Sequence, residues 1–277
     1  MNALEETMAA SNGSRLSVRR HPSESARGEI IIVHGFGEHS GRYGALTEQL
    51  ASRGYSVTAY DQRGHGRSEG LPGHIDSFSE YEEDLDRVVL SVRPRGGSPR
   101  IFLIGHSMGG LVTLRYLARQ NARLSGAVIS APMIALAAQV PAHKRIMARV
   151  GSILAPRLRL DNNVDTAALS RDPEVGRAYS ADPLVNRLVS TRWFAEASRA
   201  MAEVVTLAPK VTQPLLVMHG SGDRIASLEA TKRSFELFGS RDKELVIYPG
   251  FYHELFNEPE RQDVFKRVID WLDAHTG

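Results

Sequence analysis

The chain of 277 residues carries 34 lysines and arginines against 32 aspartates and glutamates, a formal charge of +2, and no cysteine. At roughly 100–200 residues per domain it holds one large domain or two small ones, and its 42% hydrophobic and 24% charged residues are those of a folded globular protein. The near-neutral balance excludes the broad positive field that holds nucleic acid, and the lack of cysteine excludes disulfides, thiolate nucleophiles, thiolate-bound zinc and iron–sulfur clusters.

Residues 1–14 contain two glutamates and no long apolar run, so they read as a flexible tail rather than a secretory signal. No window reaches the ~18–20 apolar residues that span a bilayer. A cytoplasmic protein is expected. Short apolar, β-branched runs follow at Ile30–His34, Tyr55–Tyr60, Ile101–Gly105, Ala127–Ser130, Leu215–His219 and Leu245–Tyr248. Segments with helical spacing alternate with them at Tyr43–Arg53, Phe78–Val92, Met108–Gln120, Leu228–Phe238 and Glu260–Ala274. In the last, Val264, Val268, Ile269, Trp271 and Leu272 share one side, and Pro259 suits a helix start. This alternation predicts an α/β fold, a mostly parallel central sheet covered by helices on both faces.

From Pro132 to about Leu207 the alternation stops, leaving helix-like segments punctuated by prolines and no convincing strand. An insert between core strands sits over the carboxyl ends of the sheet, where such folds bind ligands. The expected division is therefore a core of residues 15–131 and 208–277 with a helical cap at 132–207. Met133, Ile134, Leu136, Val140, Ile146, Met147, Val150, Ile153 and Leu154 make the cap apolar, as an acyl tunnel or as ordinary packing. Lys144, Arg145, Arg149, Arg157 and Arg159 interrupt it, which leaves contact with a lipid surface open.

Gly105-His106-Ser107-Met108-Gly109 matches the G-x-S-x-G turn, which lifts a serine hydroxyl above a sheet between a strand and a helix. Ile101–Ile104 before it and the helical segment after it supply that setting. A serine needs a base, and the base an acid to orient it; with this turn the chain order is serine, acid, histidine. Of the histidines after Ser107, His143 falls in the cap, His219 ends a strand and His275 lies at the C-terminus. His253, in the loop after the last strand, stands where a base belongs. Asp223, in the Gly220-Ser221-Gly222-Asp223 turn, is the expected acid, with Asp242 and Glu254 as alternatives. The backbone N–H groups of Met108 and Phe36 are the expected oxyanion donors.

Several segments resemble one known family. His34-Gly35-Phe36-Gly37-Glu38-His39-Ser40-Gly41-Arg42-Tyr43 resembles the HG-x-GEH-x-x-RY signature of monoacylglycerol lipases and related lysophospholipases. Asp61–Ser68 resembles their D-x-RGHG-x-S turn, and Gly105–Gly110, Gly220–Asp223, Tyr252–Glu254, Ser170–Pro173 and Tyr179–Leu184 also fit. One departure is visible: after Asp223, where the family usually has a hydrophobic residue and then proline, Ile225-Ala226-Ser227 stands. The resemblance implies an α/β-hydrolase fold with a lipophilic cap, a Ser107–Asp223–His253 triad, and a preference for long-chain monoesters of glycerol. It also implies a head-group pocket at Glu38, Arg42, His106 and Tyr179.

The expected activity is thus a serine ester hydrolase acting on monoacylglycerols, with a small lipid ester as its partner and no nucleic acid or obligate protein partner. No metal or organic cofactor is expected. A broader carboxylesterase or lysophospholipase is the enzymatic alternative, and a non-catalytic ligand-binding homologue the other.

Overall fold

A computed structural model describes residues 4–24, 26–92, 100–119, 124–138 and 140–276 of the chain; for Ala142, Lys144 and Arg145 only the backbone is described. Its strands are β1 (Leu4–Ala9), β2 (Arg15–His21), β3 (Glu29–Val33), β4 (Ser56–Tyr60), β5 (Ile101–His106), β6 (Gly126–Ser130), β7 (Arg159–Asp161), β8 (Leu188–Ser190), β9 (Leu215–Gly220) and β10 (Lys243–Tyr248). Its α-helices are α1 (Gly44–Ser52), α2 (Ser79–Ser91), α3 (Met108–Arg119), α4 (Ala142–Leu154), α5 (Pro173–Ala181), α6 (Thr191–Leu207), α7 (Leu228–Leu237) and α8 (Arg261–Thr276). Gln120, the expected end of the third helix, lies outside the described residues.

Eight strands form one sheet in the order β1-β2-β4-β3-β5-β6-β9-β10. From β4 to β10 every pairing is parallel; the strands from β4 to β9 in that order are buried almost throughout, whereas β10, at the edge, is only partly covered. Alternation within β3 shows the two-sided core. Ile31 and Val33 face a cluster with Tyr81, Leu85 and Leu111, while Ile30 and Ile32 face one with Leu46, Val264, Phe265 and Trp271. The apolar stripe expected on the last helix is therefore buried, and helices cover both faces of the sheet.

The expected flexible tail at residues 1–14 is corrected. Leu4–Ala9 is an edge strand, paired antiparallel with β2 from Leu4↔Arg20 to Ala9↔Arg15. Its side chains are almost all exposed, so the backbone ladder holds it and no apolar pattern announces it. In β2 only Leu16 and Val18 are buried, a brief alternation among arginines.

Residues 132–207 leave the sheet after β6 and return at β9. Contrary to the expectation of no strand there, β7 and β8 form a three-residue antiparallel pair. The segment crosses the carboxyl ends of the parallel strands: the Asn186 amide donates to the Gly37 carbonyl at 2.7 Å, and the Glu254 amide to the Leu169 carbonyl at 2.7 Å. Its last helix, α6, packs on α3 and contributes Ala197, Ala200 and Val204 to the main core. The apolar residues of this segment divide: Met133 and Ile134 are buried, whereas Ile146, Met147, Val150, Ile153 and Leu154 form an exposed stripe on α4. Among the described residues no helix is long and apolar enough to cross a membrane.

Candidate active site

The site begins at a strained turn. Ser107 follows β5 with φ of 53°, a left-handed conformation that costs a residue with a Cβ ~1–3 kcal/mol. Three hydrogen bonds hold it there: its amide donates to the Ser130 carbonyl, and its carbonyl accepts from Leu111 and Met133. The glycines on either side are required by close approach. A Cβ on Gly105 would lie 2.5 Å from Thr113 Oγ1, and one on Gly109 would lie 2.0 Å from the Val33 carbonyl oxygen. Only a bare backbone lets α3 start this near β3, and that start aims Ser107 Oγ above the sheet.

His253 and Asp223 arrive from the loops after β10 and β9. His253 Nε2 lies 2.9 Å from Ser107 Oγ, and its Nδ1 lies 2.8 Å from Asp223 Oδ2. The other carboxylate oxygen of Asp223 accepts from the Ile225 and Ala226 amides at 2.8 and 2.9 Å. Ser227 then caps α7 by accepting from the Ala230 amide. The Ile225-Ala226-Ser227 departure thus supplies two donors and a helix cap. His219 Nε2 also touches Asp223 Oδ2, at 3.0 Å. Of the two alternative acids, Asp242 pairs with His275 and Glu254 with Arg42, so neither orients the base.

The electrostatics follow from burial and pairing. Desolvation works to raise the Asp223 carboxyl, but the charge and hydrogen bond of His253 and the close contact of His219 outweigh it and hold the group well below the usual carboxylate range. Desolvation works to lower His253, yet the charge and hydrogen bond of Asp223 prevail and its pKa is raised above 6.5. His106, whose ring centroid is 4.8 Å from that of His253, is pushed well below 6.5 by burial and by its neighbour. It is a neutral imidazole with Nδ1 3.3 Å from Ser130 Oγ.

The four residues expected at a head group separate in role. Glu38, His106 and Tyr179 line the cavity above Ser107, but Arg42 does not. Arg42 lies between Glu38 and Glu254, with Nη2 2.5 Å from Glu254 Oε2 and Nε 3.3 Å from Glu38 Oε2, and its guanidinium is 4.9 Å from the Tyr179 ring centre. Glu38 Oε1 accepts from the Gly35 amide and the Tyr43 hydroxyl, so this carboxylate also ties down the loop that carries Phe36. Glu254, foreseen only as an alternative acid, is a cavity-lining residue, and burial with help from Glu38 raises its carboxyl pKa despite Arg42. The signal available in advance was an acid adjoining the base. Phe36, Met133, Leu136, Leu169, Trp193 and Phe194 also line the cavity, as does the polar Asn162, with the Phe36 and Trp193 ring centres 4.1 Å apart. Among the described residues no group of three or more histidines or carboxylates is arranged to hold a metal ion.

A serine, an aspartate and a histidine in this chain order, joined at the carboxyl end of a parallel sheet, define a serine hydrolase of the α/β-hydrolase class. The chain belongs to the family described as serine aminopeptidase, S33, whose model matches residues 24–260. It is 37% identical over 256 residues to a protein of Mycolicibacterium smegmatis named monoacylglycerol lipase, covering 92% of this chain and 91% of that one. It is 34% identical over 248 residues to phospholipase YtpA of Bacillus subtilis, covering 89% of this chain and 95% of that one. The crystal structure of Paleococcus ferrophilus monoacylglycerol lipase superposes with a TM-score of 0.85 at 32% identity, covering 99% of this chain and all of that one.

Removing Arg42 leaves two buried carboxylates facing each other without a cation. Arg42→Ala is expected to lower stability by about 3–5 kcal/mol in urea unfolding at neutral pH. Without Arg42 the buried Glu254 carboxyl, already raised, is pushed further above its unfolded value, so the deficit grows as pH rises through the carboxylate range and shrinks as pH falls toward 4. A deficit that is small, or equal at both ends of that range, contradicts the assignment.

Proposed function

We propose that this protein is a serine ester hydrolase that cleaves long-chain monoacylglycerols to fatty acid and glycerol through an acyl-enzyme. The observation that carries the reading is the unbroken Ser107–His253–Asp223 contact chain beside a cavity whose lining combines a few polar side chains with many apolar ones. The relatives named monoacylglycerol lipase support the same substrate class. In this reading Ser107 Oγ bonds to the ester carbonyl carbon as its proton passes to His253 Nε2. The oxyanion takes hydrogen bonds from the Phe36 and Met108 amides, the latter at a helix start and so without an intrahelical acceptor. The carbonyl then re-forms and the ester bond to glycerol breaks, the leaving glycerol oxygen taking the proton from His253. Water, deprotonated by His253, then attacks the acyl carbonyl, releasing the fatty acid and returning the proton to Ser107. Asp223 holds the imidazole in one orientation and stabilises its charged form.

Glu38, His106, Tyr179 and Glu254 are polar lining residues that suit a glycerol head, with Arg42 acting through the two carboxylates. No lysine or arginine is among the described lining residues, which disfavours a phosphate-bearing head such as that of a lysophospholipid. Both carboxylates are engaged by Arg42, so neither is a free seat for the amino terminus of a peptide. The segment 132–207 serves as the cap over an acyl-binding wall of Met133, Leu136, Leu169, Trp193 and Phe194. Each CH₂ buried there stabilises the complex by about 0.8 kcal/mol, so long chains are favoured over short ones.

Hydrolysis of a long-chain monoacylglycerol is expected to exceed that of the matching lysophospholipid and of a short p-nitrophenyl ester. Ser107→Ala is expected to lower kcat on the order of 10⁴- to 10⁶-fold. Because His253 must be unprotonated and its pKa is raised, kcat/KM is expected to climb with pH through a value above 6.5. A lysophospholipid preference moves the reading to a phospholipase with the same triad, and full activity in Ser107→Ala contradicts it altogether.

The exposed stripe on α4, with Ile153 73% and Leu154 78% accessible, supports transient contact of the cap with a lipid surface. Replacing both residues by aspartate is expected to reduce co-sedimentation with lipid vesicles while leaving hydrolysis of a water-soluble ester unchanged. Equal sedimentation of the variant and the parent protein contradicts that contact.

A further inference from the structure

His219 is a titratable group that the reaction does not use, yet it touches the catalytic acid. It is the fifth residue of β9, between β6 and β10, and its side chain is fully buried. The rest of that strand is Leu-Leu-Val-Met before it and Gly220 after it, so an aliphatic residue would suit the position. Neither ring nitrogen makes a well-aligned hydrogen bond with a described residue, and burying a polar group in that state costs ~1–3 kcal/mol. Its Nε2 is instead held 3.0 Å from Asp223 Oδ2, the same oxygen that His253 Nδ1 approaches at 2.8 Å.

Holding the carboxylate in place is not what His219 adds, because Oδ1 is already fixed by the Ile225 and Ala226 amides. What it adds is a positive edge against Oδ2. We infer that His219 is a positioning residue that withdraws part of the Asp223 charge from His253, so that His253 remains a free base near neutral pH. The inference rests on the triad reading above. A buried carboxylate shared with no other donor on Oδ2 would stabilise the imidazolium further, and a base that is protonated at working pH accepts no proton from Ser107. The sign is the same for a neutral His219 presenting Nε2–H and for a charged one, since both draw on Oδ2. The other groups that face His253 are Glu254 beside it, Glu38 from the loop after β3 with Arg42 between them, and His106 from β5. All of these persist when His219 alone is replaced.

The test is the pH profile of kcat/KM for the parent protein and for His219→Leu, His219→Asn and His219→Gln, on a monoacylglycerol and on a soluble p-nitrophenyl ester. In His219→Leu the acid limb is expected to move up by ~0.5–1 unit. That shift reads as a loss of about three- to tenfold below the limb and no comparable loss on the alkaline plateau. Gln places an amide N–H where Nε2 stood and is expected to restore the parent limb. Asn, equally polar but one methylene shorter, is expected to behave like Leu, and this pair carries the test if the Leu variant does not fold. An acid limb that stays put or moves down in the Leu and Asn variants overturns the inference, as does a loss equal at every pH. A parent protein whose activity survives Ser107→Ala contradicts the triad reading instead, so the two failures are distinct.

Discussion

The close approach of α3 to β3 is the constraint on which the rest of the site depends. Gly109 comes so near the Val33 carbonyl that a single added carbon would lie 2.0 Å from its oxygen. That packing leaves Ser107 in a left-handed conformation at the carboxyl end of central strand β5, with its backbone bonded to β6, α3 and Met133. The amide of Met108 begins the helix beside it, and the loop carrying Phe36 follows directly from the β3 carbonyl against which Gly109 packs. Nucleophile and expected oxyanion donors are therefore set by one backbone contact.

Around that turn the charges are buried and must be paired, since an isolated ion in the interior is costly. Asp223 meets the requirement with two amides and two imidazoles, and Glu38 and Glu254 meet it with one arginine between them. His253 lies between these two negative groups. Burial would hold it neutral, the neighbouring carboxylates draw it toward the charged form, and the balance leaves it a base whose imidazolium is stabilised when it takes the serine proton. Charge and geometry thus serve the same step.

Much of this was legible in the sequence where burial on both faces produces unbroken apolar runs. β3, β5 and β9 were visible for that reason, and the glycines around Ser107 marked the turn between strand and helix. The chain order of serine, acid and base reduced ten histidines to four, and the loop after the last strand singled out His253. Strands held by their ladder alone were not legible: β1 exposes nearly every side chain, and β7 and β8 have three residues each. Proline-broken helical spacing revealed the insert but not that α6 would join the core or that the stripe on α4 would face outward. Contacts between distant loops also left no pattern, which is why Arg42 looked like a cavity residue and proves to lie between two carboxylates.

The central claim is that Ser107, and no other serine, is made nucleophilic by His253. Mass spectrometry after treatment with a fluorophosphonate tests it directly. One adduct per chain is predicted, on the peptide containing Ser107, and none in His253→Ala; an adduct on a different serine, or none on the parent protein, contradicts the account.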